Sequence, residues 1–383
     1  MSQPDVPTGT QRAYPYPLSP ESATTPLAHI LAAETSPDAP LSFQDFMRLA
    51  LYHPEHGYYT ENQRAIVSKD GDFITSVSVG PAFGFLIALR LEKFWRELGQ
   101  PEKLTILELG AHRGELARDL LTALPRLSPD LAQAVQYLII EPLEKGRQAL
   151  NATLLRDFPE TCQLRAEVPS AIDSPVFFIA NELLDALPVP LLHFSAGQWQ
   201  ELGVRWDATG PAFAPLPELR PSLRDYTHEL GQNFPEGYLT EAPPDFNAIL
   251  APLRSACRHD FLGLLFDYGF DAPTLHHPGR HDGSLRAYYQ HSSRVHPLDR
   301  PGRQDLTAHV NFTAFTHTAE TSGFQVSTPR AQGSYLTHLA SDWLLKGEAD
   351  SSFIRQFQTL IHPSHFGNRF HALELTRASS TQA

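Results

Sequence analysis

Residues 104–121 read LTILELGAHRGELARDLL, and the hydrophobic period changes inside them at Gly110. Leu104, Ile106, Leu107 and Leu109 form a short apolar run suited to a central parallel strand, whereas Leu116, Leu120 and Leu121 recur at helical spacing. A strand, a glycine turn and a helix in that order form the ligand-binding start of an open α/β sheet. Gly110 and Gly114 let the main chain approach whatever lies over the helix N-terminus, and Glu108 ends the strand beside the turn. The stretch lacks the Gly-Lys-Ser/Thr ending of a phosphate-binding loop and the third glycine of a dinucleotide fingerprint. An acid at the strand end favours a ligand that carries an amine or a positive charge.

With 383 residues, the chain is long enough for a full core and an added lobe. Its 30 basic residues are outnumbered by 43 acidic ones, a net charge of −13, which argues against nucleic acid and for a basic or neutral partner. Cys162 and Cys257 are the only cysteines, so neither a disulfide framework nor a cysteine zinc site is expected, and a reducing compartment fits. No apolar stretch reaches the ~18 residues of a membrane span. The N-terminal residues show neither a signal-peptide core nor an Arg-rich presequence, and the expectation from these features is a cytoplasmic protein.

Composition divides the chain. Residues 1–28, rich in Pro, Ser and Thr, read as a flexible arm, and 29–100 as a helical region that contributes to the ligand site. Within it, 28–51 reads as helical with Ser42 as a cap, and 81–98 as a further helix. A binding core is expected over 101–207 and its remainder over 259–345, with strands at 136–141, 163–168, 176–181 and 262–268. The proline-dense stretch within 208–258 reads as an insertion or lid, and 346–383 as a C-terminal segment. Strands separated by helix-length segments indicate an α/β fold with a doubly wound, Rossmann-like parallel sheet.

Two further groups of polar residues fall at expected strand ends. Glu141 follows Ile139 and Ile140, about 30 residues beyond the glycine turn, where a carboxylate accepts hydrogen bonds from both hydroxyls of a ribose. The bland alternative is an exposed carboxylate, and Glu108 with the glycine turn tips the balance toward the ribose. Asn181, Glu182 and Asp185 follow the apolar run ending at Ala180. Taken alone, Asn181 reads as a helix cap and Asp185 as a solvated residue. At the carboxyl edge of a central strand, they are instead where a second substrate meets the first.

The ordered set Leu51-Tyr52-His53-Pro54, Gly57-Tyr58-Tyr59, Gly71-Asp72-Phe73-Ile74-Thr75-Ser76, Phe83-Gly84 and Glu108-Leu109-Gly110 resembles the MidA-like S-adenosylmethionine (SAM) dependent methyltransferases. The likeness continues through Ala180-Asn181-Glu182 with Asp185-Ala186-Leu187-Pro188, Phe266-Asp267-Tyr268-Gly269, Leu285-Arg286-Ala287-Tyr288 with His291, and Asp305-Leu306-Thr307-Ala308-His309-Val310, and it spans about residues 41–339. That family includes a mitochondrial assembly factor of respiratory complex I described as a protein arginine methyltransferase. The resemblance implies a class I SAM-methyltransferase core with an N-terminal helical region and an inserted lobe. It implies SAM as cofactor, held by Gly110, Gly114, Glu108, Glu141 and the loop of Asp72, Phe73 and Thr75. It further implies a protein substrate, such as a respiratory-complex subunit, and Asn181, Glu182 and Asp185 are the expected catalytic residues from their place at the sheet edge.

The chain departs from the family at three places. His112 replaces the middle glycine of Gly-Pro-Gly-x-Gly, Val77-Ser78 replaces Pro-Glu, and Phe85 replaces a glutamate. A binding or assembly protein that keeps the fold without efficient catalysis is therefore a second reading, and a nicotinamide-dependent dehydrogenase a third. His276, His277 and His281 gather around Pro278 and Gly279, but the segment reads as a turn-rich loop without cysteine or helical histidine spacing, and no metal site is expected. His291 and His309 read either as substrate-side residues or as partners of buried backbone groups. The oligomeric state is not legible.

Overall fold

The structure is a computed structural model that describes residues 10, 13–36, 39–61, 75–207 and 210–377. Its main sheet is built from β1 (Leu104–Leu109), β2 (Val135–Ile140), β3 (Cys162–Arg165), β4 (Val176–Asn181), β5 (Phe261–Phe270), β6 (Gln325–Val326) and β7 (Phe370–Arg377). Their spatial order is β3-β2-β1-β4-β5-β7-β6, parallel from β3 to β5, with β7 antiparallel to β5 and β6 antiparallel to β7. Two-residue strands at Val310–Asn311 and Arg330–Ala331 join beside β5 and β7. The chain leaves β1 toward β3 and then returns to the other side of β1 at β4, so strand order reverses between β1 and β4. Ligands of open α/β sheets bind outside the strand C-termini at such a reversal.

Both faces of the sheet are buried at its centre, which is why β1, β2, β4 and β5 are mostly apolar. Ile106, Tyr137, Phe177 and Leu264 face one core, closed by the helices Ala82–Glu97, Glu115–Leu127, Gln332–Leu345 and Ser351–Ile361. Leu107, Leu138, Phe178 and Leu265 face the other, under Asn247–Ala256 and Phe312–Thr321. Full burial of each such side chain stabilises the fold by about 1.5–3 kcal/mol.

The N-terminal region forms two helices, Pro26–Glu34 and Phe43–Tyr52, rather than one helical stretch over 28–51. Leu41–Ser42 is a strand, and Ser42 then caps the second helix by accepting the Asp45 N–H at 3.1 Å. That strand belongs to a second, wholly antiparallel sheet with Leu191–Ser195, Gln198–Asp207, Gly210–Pro215 and Tyr238–Glu241. The lobe thus begins at Leu191, ahead of the proline-dense stretch, because the alternating residues of 191–207 form a hairpin. Its core includes Phe43, Phe46, Leu191 and Val204, together with Leu285, Ala287 and Leu306 around a hairpin of Arg286–Tyr288 and Asp305–Thr307. That hairpin reaches the main sheet through Ala308, whose N–H donates to the Asp185 carbonyl at 2.9 Å. Cys162 and Cys257 are buried and unbridged.

Candidate active site

The turn after β1 takes three left-handed residues, Gly110 (φ 76°), His112 (φ 49°) and Gly114 (φ 75°). A Cβ on Gly110 would stand 3.1 Å from Leu183 Cδ1, and one on Gly114 would stand 3.0 Å from Leu154 Cδ2. Gly110 therefore lies directly against the turn that follows β4. His112 occupies a conformation suited to glycine, and both of its ring nitrogens are buried without a partner. Burial pushes its pKa down to about 4, so the ring is neutral at physiological pH.

Glu108 faces inward from β1 and is 3% exposed. Its Oε2 accepts the Tyr137 hydroxyl from β2 at 2.8 Å, and burial raises its pKa to about 7. Glu141, just past β2, is half-buried. Its Oε1 accepts the Leu143 N–H at 2.8 Å, and its carboxyl lies over Gly146, where a Cβ would come within 2.6 Å of Cδ. The missing side chain at Gly146 makes room for this carboxylate.

After β4 the chain turns at Glu182, which has φ 52° and donates its N–H to the Phe266 carbonyl of β5 at 2.8 Å. The Glu182 Oε1 accepts the Ser76 N–H at 3.3 Å and the Asn181 Nδ2 at 3.2 Å. Burial, with Asp185 next in weight, raises the Glu182 pKa to about 8. Asp185 is 5% exposed, and burial raises its pKa to about 6. Its Oδ1 accepts no hydrogen bond, nor does the Asn181 Oδ1. Asp267, at the end of β5, is 1% exposed and supports the turn from below: Oδ2 accepts the N–H of Leu184 at 2.8 Å and of Asp185 at 3.4 Å.

The structure thus brings Asn181, Glu182 and Asp185 together with Gly110, through Leu183, and with the segment that starts at Thr75, through Ser76. Thr75 itself is buried, and its hydroxyl is spent on the Ser78 N–H at 3.2 Å. Glu108 and Glu141 sit at the neighbouring strand ends. Asp72 and Phe73 lie outside the described residues. Sequence reasoning did not assign roles to Asp267, Tyr268, Asp305, Tyr52 and Tyr59. Tyr52 and Tyr59 stack with centroids 5.4 Å apart, Tyr52 donates to the Ala186 carbonyl at 2.9 Å, and Tyr59 donates to the buried Asp305 at 3.2 Å. The usable signal was an acid and a tyrosine closing an apolar run, at Asp267-Tyr268, as at Glu108 and Asn181-Glu182.

Phe85 has a packing role. Its ring lies 4.6 Å from Trp343 and 5.6 Å from Phe353, in the seam between three helices. His276 is turned into the protein, with the Tyr226 hydroxyl at 2.6 Å and the Thr240 hydroxyl at 3.0 Å, away from a shared ligand with His277 and His281. Among the described residues no group of three or more His, Cys, Asp or Glu is placed to hold a metal ion, and no helix is long and apolar enough to cross a membrane.

A sheet of this order, with a glycine turn at its reversal and acids at the ends of its first two strands, defines the class I methyltransferases that use SAM. The chain belongs to the family described as "Putative S-adenosyl-L-methionine-dependent methyltransferase", whose profile matches residues 86–330. A protein from Burkholderia thailandensis, solved with S-adenosyl-homocysteine bound, is similar over 99% of this chain and 96% of that one, at 26% identity and a TM-score of 0.78. Among curated relatives, the mitochondrial protein arginine methyltransferase NDUFAF7 homolog of Drosophila melanogaster is 28% identical over 96% of this chain and 90% of its own length. Human mitochondrial NDUFAF7, also a protein arginine methyltransferase, is 25% identical over 93% and 84%. The protein is a SAM-dependent methyltransferase, and its cofactor is SAM.

These relatives correct the expectation of a cytoplasmic protein, because they are named mitochondrial. Of the features behind that expectation, two unpaired cysteines and no apolar span report on redox state and membrane insertion and do not single out the cytoplasm, and the third, N-terminal residues without an Arg-rich presequence, is overruled by the relatives' names.

Proposed function

We propose that this methyltransferase alkylates a guanidinium nitrogen of an arginine in a partner protein, beside Glu182 and Asp185. The observation that carries the reading is the unpartnered Asp185 Oδ1 in a carboxyl cluster that has no basic counterpart. Among the described residues, no Lys, Arg or His nitrogen comes within 4.0 Å of a Glu182, Asp185 or Asp267 oxygen. Burying carboxylates in this way is costly and shifts them toward the neutral form. An incoming guanidinium supplies the missing donors and the counter-charge together, in the planar geometry that carboxylates match. The names of the relatives support a protein arginine as the acceptor, and a respiratory-complex subunit, implied by the family resemblance, is the first partner to test.

The residues present suit the cofactor. Gly110 and Gly114 admit its close approach along the turn, Glu141 has an oxygen left for the ribose hydroxyls, and Glu108 places a buried acid beneath the turn. When bound, SAM supplies a methyl carbon activated by a sulfonium. Glu182 and Asp185 fix the guanidinium plane and concentrate its positive charge on the nitrogens away from the attack. The attacking nitrogen forms the N–C bond as the S–C bond breaks with its electron pair passing to sulfur. One nitrogen-bound proton then leaves to a carboxylate, because methylarginine keeps a single positive charge.

Glu182→Gln tests this reading. It keeps shape and removes charge, so calorimetric affinity for S-adenosyl-homocysteine stays within about twofold while methyl transfer to arginine falls by about 100-fold, the signature of an interaction made mainly in the transition state. Normal transfer by the variant would remove Glu182 from the reaction, and loss of S-adenosyl-homocysteine binding would place it in the cofactor pocket.

A further inference from the structure

The carboxyl cluster has a basic rim. From Tyr268, which follows the Asp267 that accepts the Asp185 N–H, a run of rings leads outward. Tyr268 meets His309 edge-on at 5.2 Å, His309 meets Phe270 at 5.1 Å, and the Arg280 guanidinium lies 4.2 Å above Phe270. His309 feels Arg286 as well as Arg280, and its Nδ1 is buried without a hydrogen-bond partner. Tyr288 lies within electrostatic reach of Arg286, Arg369, Asp305 and Asp185. Arg369 precedes Phe370, whose ring packs on Tyr268 at 5.4 Å. Arg280, Arg286 and Arg369 therefore border the same aromatic wall. Arg286 and Arg369 are exposed and Arg280 half-buried, and among the described residues none of the three has a carboxylate within 4.0 Å.

Three arginines near a cluster of carboxylates, neither group ion-paired among the described residues, form a charge pattern of two signs. We propose that Arg280, Arg286 and Arg369 form a specificity subsite for a carboxylate side chain of the substrate, an Asp or Glu close in sequence to the arginine that is methylated. This rests on the assignment of an arginine acceptor to Glu182 and Asp185. In a chain of net charge −13 the general field repels an acidic segment, so its recognition needs local guanidinium groups. Arginine is suited to that task because its planar donor fork meets a carboxylate with two parallel hydrogen bonds. The steps from Tyr268 to Arg280, 5.2, 5.1 and 4.2 Å, hold Arg280 within about 15 Å of the Tyr268 ring, and an extended peptide advances about 3.3 Å per residue. The acid thus falls within about four residues of the target arginine. The reversed arrangement, a basic residue there, meets like charge.

The test uses the full-length protein with SAM and short glycine-spaced peptides that contain one arginine. One peptide carries glutamate three residues from the arginine, a second glutamine and a third lysine at that place, and the series is repeated at spacings of two and four. We expect KM for methyl transfer to be about five- to tenfold lower for the glutamate peptide than for the glutamine peptide at one or more spacings, with kcat changed less than twofold. Peptide binding measured by calorimetry with S-adenosyl-homocysteine present should follow the same order and weaken with salt. Arg286→Glu should abolish the preference and favour the lysine peptide, leaving S-adenosyl-homocysteine affinity unaltered. Equal KM for all three peptides, or a preference untouched by Arg280→Ala, Arg286→Glu and Arg369→Ala, overturns the subsite while the arginine acceptor stands. If no arginine peptide or protein accepts methyl from the intact enzyme, the acceptor assignment and the subsite both fall.

Discussion

Asp267 accepts the main-chain N–H of Leu184 at 2.8 Å, joining the ends of β5 and β4 beneath the turn that carries Glu182 and Asp185. The other oxygen of Asp267 accepts the Tyr268 N–H at 2.9 Å, so both oxygens are occupied by backbone donors. Asp267 is spent on shape, whereas the neighbouring Asp185 Oδ1 accepts no hydrogen bond.

Asp267→Asn turns one of those acceptors into an N–H₂ group that meets a backbone N–H. The variant should lose about 1–3 kcal/mol of stability in urea unfolding, the cost of leaving buried donors unsatisfied. Methyl transfer should fall with it, because Glu182 and Asp185 lose their support. A variant of full stability and activity would show that the turn holds itself.

Glu108 gives the fold a pH dependence whose sign follows from its burial. Its folded-state pKa of about 7 lies above the ordinary 4.5, so its stabilising contribution is complete below about 4.5 and disappears as pH rises through about 7. The loss amounts to about 3 kcal/mol between those limits. Urea unfolding at pH 5, 6, 7 and 8 should show a decline that Glu108→Gln flattens. The same slope in both proteins would mean that the carboxylate ionises in the fold at no cost.

Gly146→Ala probes Glu141 without touching its charge. The added methyl would fall 2.6 Å from Glu141 Cδ, so the carboxylate must leave its place over the helix. Affinity for S-adenosyl-homocysteine should drop by at least about tenfold in this variant and in Glu141→Ala, since each loses charge-assisted hydrogen bonds worth more than ~1 kcal/mol. Unchanged calorimetric affinity in both would take Glu141 out of the cofactor site.

His112→Gly relieves a left-handed residue and removes two buried nitrogens that lack partners. It should stabilise the protein by about 1 kcal/mol in chemical unfolding and tighten S-adenosyl-homocysteine binding. Weaker binding would identify the imidazole as a ligand contact and the turn as rebuilt around it.

The sequence by itself determined what depends on neighbours along the chain. The change of period at Gly110 marked β1 and its helix, and the apolar run before Asn181 gave β4 with the same ends that the structure has. Acids that end such runs, Glu108, Glu141 and Glu182, could be placed at one edge of a sheet for the same reason. The family resemblance named the cofactor before any contact was known.

Tertiary structure alone decided which distant segments meet. Phe370–Arg377 pairs antiparallel with β5 more than 100 residues earlier, and nothing local in it specifies that partner. The hairpin of 191–207 turns through Ala196 and Gly197, both left-handed, and closes a sheet with Leu41–Ser42 that proline content did not reveal. Glu108 was legible as an acid, but its burial against Tyr137 was not, because side-chain direction depends on how β1 and β2 pack. The charge of the site is of the same kind. Asp185 and Asp267 are ordinary aspartates in sequence, and only the folded chain buries both while, among the described residues, placing no lysine or arginine beside them.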